Sequence, residues 1–119
     1  MLKSYKELLV WQKSIKFVKE IYRLTNSYPK EELYGITNQT RRAAVSMPTN
    51  IAEGYARKHR KEYVQFARIA FASRAELETL LVIAKELKLA TSEEFKESEE
   101  LLEETMKMLN GFIGSLTNR

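Results

Sequence analysis

The 119-residue chain contains no cysteine. Disulfides, thiolate nucleophiles, zinc-cysteine sites and iron-sulfur clusters are therefore excluded, because each of them requires a cysteine sulfur. The chain also lacks the unbroken apolar core of a signal peptide and any stretch of about 20 apolar residues that would cross a membrane. We therefore expect a cytoplasmic protein with no membrane partner.

Histidine is nearly absent as well, since His59 is the only one. A metal centre needs several converging His, Cys or carboxylate ligands, and the Glu-x-x-His pairs of di-iron helical bundles do not occur. A catalytic histidine would need an oriented partner, and the Arg-His spacing of helical HEPN-type ribonucleases is missing. The sequence thus predicts no catalytic residue, no metal and no cofactor, and a protein that is not an enzyme.

The composition is that of one ordinary globular domain spanning residues 1–119, with 44% hydrophobic and 30% charged residues. Its charge is unevenly distributed along the chain. Residues 1–74 hold 15 Lys and Arg against 6 Glu, a net charge of +9, whereas residues 75–119 hold 5 against 10, a net charge of −5. This asymmetry predicts a dipolar surface, which would either steer an acidic partner or let one copy attract another.

Apolar residues recur at spacings of three and four, which predicts helices, and no alternation typical of strands competes with this pattern. The first helix is predicted from about Tyr5 to Asn26, with Ser4 and Glu7 as a capping box at its start. Its main apolar face is predicted to comprise Leu8, Trp11, Ile15, Val18 and Tyr22, with Val10, Phe17, Ile21 and Leu24 forming a second stripe.

The second helix is predicted from Leu33 or Gly35 to about Tyr55. Pro48 should kink it, because proline gives up one backbone hydrogen bond and clashes with the preceding turn. Gly54 is interpreted as the helix stop before a charged connection.

The third helix is predicted from about Lys61 to Leu87, and the fourth begins at a second capping box formed by Thr91 and Glu94. Four helices of similar length with short connections predict an all-α, antiparallel up-down-up-down four-helix bundle. Helices 2 and 3 are apolar over more surface than one small bundle can bury. We therefore expect these helices to form an interface between copies.

The segment from Arg41 to Gly54, RRAAVSMPTNIAEG, resembles the signature RRAAVSxPxNIAEG of the 23S rRNA intervening sequence proteins, a family of four-helix bundles. Similarity extends over most of the chain, to segments 10–14, 28–32, 66–70 and 75–79. The resemblance implies an antiparallel four-helix bundle that assembles into a homopentameric ring.

Relatives in this family include the accessory variability determinant of diversity-generating retroelements, a nucleic-acid-binding partner of a reverse transcriptase. The resemblance therefore implies three kinds of partner. These are further copies of the chain, RNA or DNA, and a reverse transcriptase or other protein.

Six residues of the signature segment are predicted to have structural roles: Arg41, Arg42, Pro48, Asn50, Glu53 and Gly54. Arg41 and Arg42 fall on different sides of helix 2, and Arg42 shares a stripe with Glu53. This spacing favours an ion-pair network within or between subunits over a binding role. Asn50 lies near the apolar face, where an unpaired amide would cost about 1–3 kcal/mol, so we expect it to pair with the carbonyl that Pro48 leaves free.

The best candidates for phosphate binding are the cations of the connection between helices 2 and 3, namely Arg57, Lys58, Arg60 and Lys61. Lys16, Lys19 and Arg23 on the outer side of helix 1 extend this candidate surface. The alternative interpretation of the connection is a solvated loop. No sequence-specific recognition module is present, so any binding should be non-specific.

These observations predict a non-enzymatic, oligomeric protein that binds RNA or DNA through a basic surface. The alternative is a protein-binding adaptor or scaffold without nucleic-acid binding.

Overall fold

The computed structural model of the chain describes residues 2–118. Within them lie four helices and no β-strand: α1 (Leu9–Thr25), α2 (Asn38–Tyr55), α3 (Arg60–Glu86) and α4 (Ser92–Thr117). Helices that follow each other in sequence pack side by side, and α4 packs against α1. The result is an up-down-up-down bundle 45 Å long and 22–23 Å across, which confirms the predicted all-α four-helix fold.

The two predicted capping boxes have different outcomes. Thr91 and Glu94 form both reciprocal bonds, and α4 begins directly after them. Ser4 instead accepts from the Lys6 amide at 3.1 Å and caps a short 3-10 turn. Because Leu8 then has an extended backbone, with φ −71° and ψ 125°, α1 begins at Leu9 and the predicted start at Tyr5 was wrong.

The predicted start of α2 also lies too early. Leu33–Thr37 form a π-helical turn in which Gly35 has non-helical angles, φ −115° and ψ −115°. The regular α2 therefore begins at Asn38 and continues through Pro48 to Tyr55. Such a break cannot be located from apolar spacing, because the pattern continues across it.

The bundle interior is filled by side chains from all four helices. Its largest fully buried members include Phe17, Ile21, Met47, Ile51, Leu77, Leu81, Phe95, Met106 and Leu109. On α1 the buried stripe is the one containing Phe17 and Ile21. The predicted main face lies at the bundle edge, where Trp11 and Val18 are half-buried and Tyr22 is 42% exposed.

Gly54 lies at the end of α2, as predicted, and it also has a packing role. It is buried in the last turn of α2, which ends at the next residue, Tyr55. A Cβ atom at this position would lie 2.9 Å from the Phe66 Cβ and 3.2 Å from the Tyr63 carbonyl oxygen on α3. Only glycine therefore permits the close approach of α2 and α3 at this point.

We predict that Gly54→Ala lowers the free energy of unfolding by up to about 2 kcal/mol. Overpacking at a tight contact costs about 1–3 kcal/mol, and the better helix propensity of alanine offsets only about 1 kcal/mol of that. Urea denaturation at fixed protein concentration measures the difference.

The matched control is Gly111→Ala in α4, where an added Cβ would have no neighbour within 4 Å. This variant should gain about 0.5–1 kcal/mol from helix propensity alone. Equal stabilisation by both changes would show that the α2–α3 contact relaxes freely.

Candidate nucleic-acid interface

One end of the bundle carries more cations than anions. It is formed by residues 2–7, the last turn of α2, the connection at residues 56–59, the first turn of α3, where Arg60 and Lys61 lie, and the last turn of α4. The Tyr55 hydroxyl donates a hydrogen bond to the Leu2 carbonyl at 3.3 Å, which ties the N-terminal residues to this end. Its charged residues are Lys3, Lys6, Arg57, Lys58, Arg60 and Lys61 against Glu7, Glu53 and Glu62, a net charge of +3. We call this group the basic end.

Two arginines of the basic end are held in place by neighbouring elements. The Arg57 guanidinium carbon lies 4.6 Å from the centre of the Phe66 ring, a cation-π contact. Arg60 donates a hydrogen bond at 2.9 Å to the Leu116 carbonyl near the end of α4, where a cation complements the helix dipole. Lys58 and Lys61 are exposed and form no hydrogen bond or ion pair within residues 2–118.

The three candidate cations of α1 lie apart from the basic end. Lys16 and Lys19 line a shallow surface pocket of about 300 Å³ over the α1–α4 boundary, together with Glu20 and Arg23. Arg23 pairs with Glu20 and, at 3.2 Å, with Glu97, and the hydrogen bond that Arg23 donates to Glu20 raises the pKa of Arg23. Arg23 is about 21 Å further along the helix than Leu9, at 1.5 Å per residue. The structure therefore does not join these cations to the connection as one surface.

Glutamates of α4 pair with cations on both neighbouring helices. Lys13–Glu104 and Arg23–Glu97 join α4 to α1, and Arg74–Glu103 and Lys85–Glu99 join it to α3, at 2.7–3.2 Å. The hydrogen bond from Lys13 lowers the pKa of Glu104. Exposed pairs of this kind add little stability. They do compensate the basic face of α1, so the charge asymmetry of the sequence is partly cancelled where these helices meet.

A row of five aromatic rings crosses the basic end. Tyr5 lies 5.3 Å from Trp11 and 6.5 Å from Tyr55, measured between ring centres. Tyr55 lies 6.2 Å from Tyr63, and Tyr63 lies 5.6 Å from Phe112. Burial, with a smaller contribution from Tyr55, raises the pKa of Tyr63 to about 12. We call these residues the aromatic row, which the sequence patterns did not predict.

The two arginines of the signature segment have different environments. Arg41 donates hydrogen bonds to the Thr25 hydroxyl at 2.8 Å and the Asn26 side chain at 3.2 Å. Its guanidinium also lies 4.5 Å from the centre of the Tyr22 ring. Arg41 therefore fastens the start of α2 to the end of α1. Arg42 is exposed.

Asn50 is paired, but not with the predicted carbonyl. Its side-chain amide donates to the Ser46 carbonyl at 2.8 Å. Pro48 would free the carbonyl of Ala44, one turn earlier in the helix. Asn50 reaches the carbonyl four residues before its own position instead, as polar side chains commonly do in helices.

The side chain of Ser46 hydrogen-bonds to Ser73 of α3 at 2.8 Å.

Within residues 2–118 no ion pair joins Arg42 to Glu53, and Glu53 is exposed. A pair between subunits stays a prediction.

The basic end offers anion-binding groups without a visible proton-transfer pair. His59 is exposed and precedes α3. The described part of the chain contains no group of three or more His, Asp or Glu side chains placed to hold a metal ion. No helix within residues 2–118 is long and apolar enough to span a membrane.

Comparison with known proteins identifies the family. No curated protein matched the chain in a sequence search. Residues 6–111 match the family model described as 23S rRNA-intervening sequence protein. This match includes all of α1, α2 and α3 and most of α4. The chain therefore belongs to the 23S rRNA-intervening sequence protein family.

Proposed function

We propose that the protein is a non-enzymatic nucleic-acid-binding protein that contacts the phosphates of RNA or DNA through its basic end. The observation that carries the proposal is the local excess of cations in and around one exposed connection. Closely spaced Lys and Arg release the counterions condensed on a nucleic-acid backbone, which favours binding at low and moderate salt.

The arrangement of the cations supports this assignment over the α1 surface. Arg57 and Arg60 are ordered by contacts that leave them exposed, and Lys58 and Lys61 have no competing carboxylate partner within the described residues. Arg23 of α1 is already paired with Glu20 and Glu97. Lys16 and Lys19 form no pair within residues 2–118, but they line a pocket together with Glu20. We therefore expect Lys16, Lys19 and Arg23 to contribute less than the connection.

We further propose that copies of the chain associate through two apolar surfaces. The first is the part of a groove of about 390 Å³ between α1 and α2 that is lined by Ile15, Val18 and Val45; Tyr5 and Trp11 line the end of the same groove that lies toward the basic end. The second is on α3, where Ile69 and Ile83 lie on the same side of the helix and are 48% and 43% exposed. This differs from the sequence prediction, in which α2 and α3 supplied the interface, because the stripe of α1 next to α2 stays partly uncovered.

Two different surfaces of this kind suit head-to-tail contacts, which close into a ring when the rotation between copies permits it. The family resemblance implies a ring of five. Such a ring would repeat the basic end around its axis, so several weak phosphate contacts would act together. The alternative function is a protein-binding adaptor, with a reverse transcriptase or another protein as the partner.

The first functional prediction concerns the two lysines without partners. Lys58→Gln together with Lys61→Gln should weaken binding to unrelated RNA and DNA alike. The slope of log Kd against log salt should flatten by about 0.7–0.9 for each phosphate that the variant no longer neutralises. Fluorescence anisotropy with labelled oligonucleotides between about 50 and 200 mM salt measures this slope.

Lys16→Gln with Lys19→Gln is the matched control, because it removes the same charge from α1. It should change the affinity and the slope less than the Lys58 and Lys61 variant does. If wild type shows no binding at about 50 mM salt, the adaptor function is favoured instead.

The second prediction concerns assembly. Val45 is 38% exposed at the α1–α2 groove, so glutamate should be tolerated in a single subunit. In an apolar interface, however, it would bury an unpaired charge. Val45→Glu should therefore shift an oligomer toward monomer in light scattering, with helix content retained.

Lys96→Glu on the exposed side of α4 is the control for this change and should leave the oligomer intact. A wild-type monomer at micromolar concentration would contradict the assembly proposal.

A further inference from the structure

We propose that the basic end binds nucleic acid in single-stranded form, with unpaired bases stacking on the aromatic row. This inference rests on the proposed function and specifies its ligand. Phosphate contacts alone do not distinguish single strands from duplexes, because both carry the same backbone charge groups. Aromatic side chains do, since unpaired bases can stack on them and paired bases within a duplex cannot.

The aromatic row lies among the cations of the basic end. Tyr55 precedes Arg57 by two residues, and Tyr63 follows Lys61 by two residues. The hydrogen bond from Tyr55 to the Leu2 carbonyl also brings the N-terminal residues beside the row. Proteins that bind single strands combine a basic track for the backbone with rings for successive bases, and the basic end has both features.

The rings are ordered and still accessible. Neighbouring rings of the row pack edge-on, with interplanar angles of 64–87°. In an edge-on pair the edge of one ring lies against the face of the other, so the contact orders both rings and leaves the opposite face for stacking. All five residues are half-buried.

If the aromatic row had only a structural role, it would close the hydrophobic core at the basic end of the bundle. The opposite end shows how the protein closes its core with aromatic residues. There Tyr28 and Phe95 pack with ring centres 6.4 Å apart and are only 6% and 1% exposed. The rings of the aromatic row are all more exposed than this pair, although Trp11 and Phe112 also pack against the core. The partial exposure of the row beside uncompensated cations favours a ligand.

The test uses Trp11, the only tryptophan, as an internal probe. The full-length protein is titrated with an oligothymidylate of about 12 nucleotides and with a mixed-sequence DNA duplex of the same length. We expect the single strand to bind about tenfold more tightly at equal salt and to quench the Trp11 fluorescence. The duplex should bind without comparable quenching.

Tyr5→Leu with Tyr55→Leu removes two rings and should weaken binding of the single strand about tenfold or more, with duplex binding unchanged. Tyr34→Leu is the control, because Tyr34 is 93% exposed outside the row. If the double variant fails to fold, Tyr5→Leu alone replaces it. That variant removes one ring outside the four α-helices and should weaken single-strand binding about fivefold or more, with duplex binding unchanged.

Equal affinity for the two probes with unquenched Trp11 would overturn the single-strand inference and leave the proposed function standing. Absence of binding to either probe at about 50 mM salt would overturn both. Loss of single-strand binding in Tyr34→Leu would also contradict the inference, since that ring is not part of the row.

Discussion

The close approach of α2 and α3 at Gly54 is the constraint on which the arrangement of the basic end depends. A Cβ at this position would meet Phe66 and Tyr63 at about 3 Å. With the two helices so close, only residues 56–59 are needed to connect them. Tyr55 and Tyr63 then lie 6.2 Å apart, Arg57 reaches the Phe66 ring, and the remaining cations of the connection extend into solvent. One glycine thus links the packing of the core to the position of the basic end.

Pairing of opposite charges elsewhere in the bundle makes the excess of cations at the basic end distinct. α1 contains four cations and one glutamate, whereas α4 contains seven glutamates and two lysines. The two helices pack together, and their pairs bring opposite charges within 2.7–3.2 Å. The cations of the α2–α3 connection face no comparable row of carboxylates. Electrostatic attraction of a polyanion is therefore expected to concentrate there, although the chain as a whole has a net charge of only +4.

Apolar spacing and capping chemistry predicted the four helices and their order, because helical periodicity is a local property. They did not predict the extended Leu8 before α1, the π-helical turn before α2 or which stripe of α1 is buried, because neighbouring elements decide these features. The four cations of the connection were visible as a run. The aromatic row was not visible in the sequence. Trp11 and Phe112 lie far from Tyr55 and Tyr63 along the chain and join the row only when the protein folds. Tyr55 and Tyr63, flanking the cations, were the one local signal.

The proposal requires that nucleic acid contact both the basic end and its aromatic row. Ultraviolet crosslinking of the wild-type protein to single-stranded oligothymidylate, followed by mass spectrometry of the peptides, tests this contact most directly. We predict crosslinks at Tyr5, Tyr55 or Tyr63 and in residues 57–61. Crosslinks confined to residues 16–23 of α1, or no crosslinks at a salt concentration where binding is saturated, would contradict the claim.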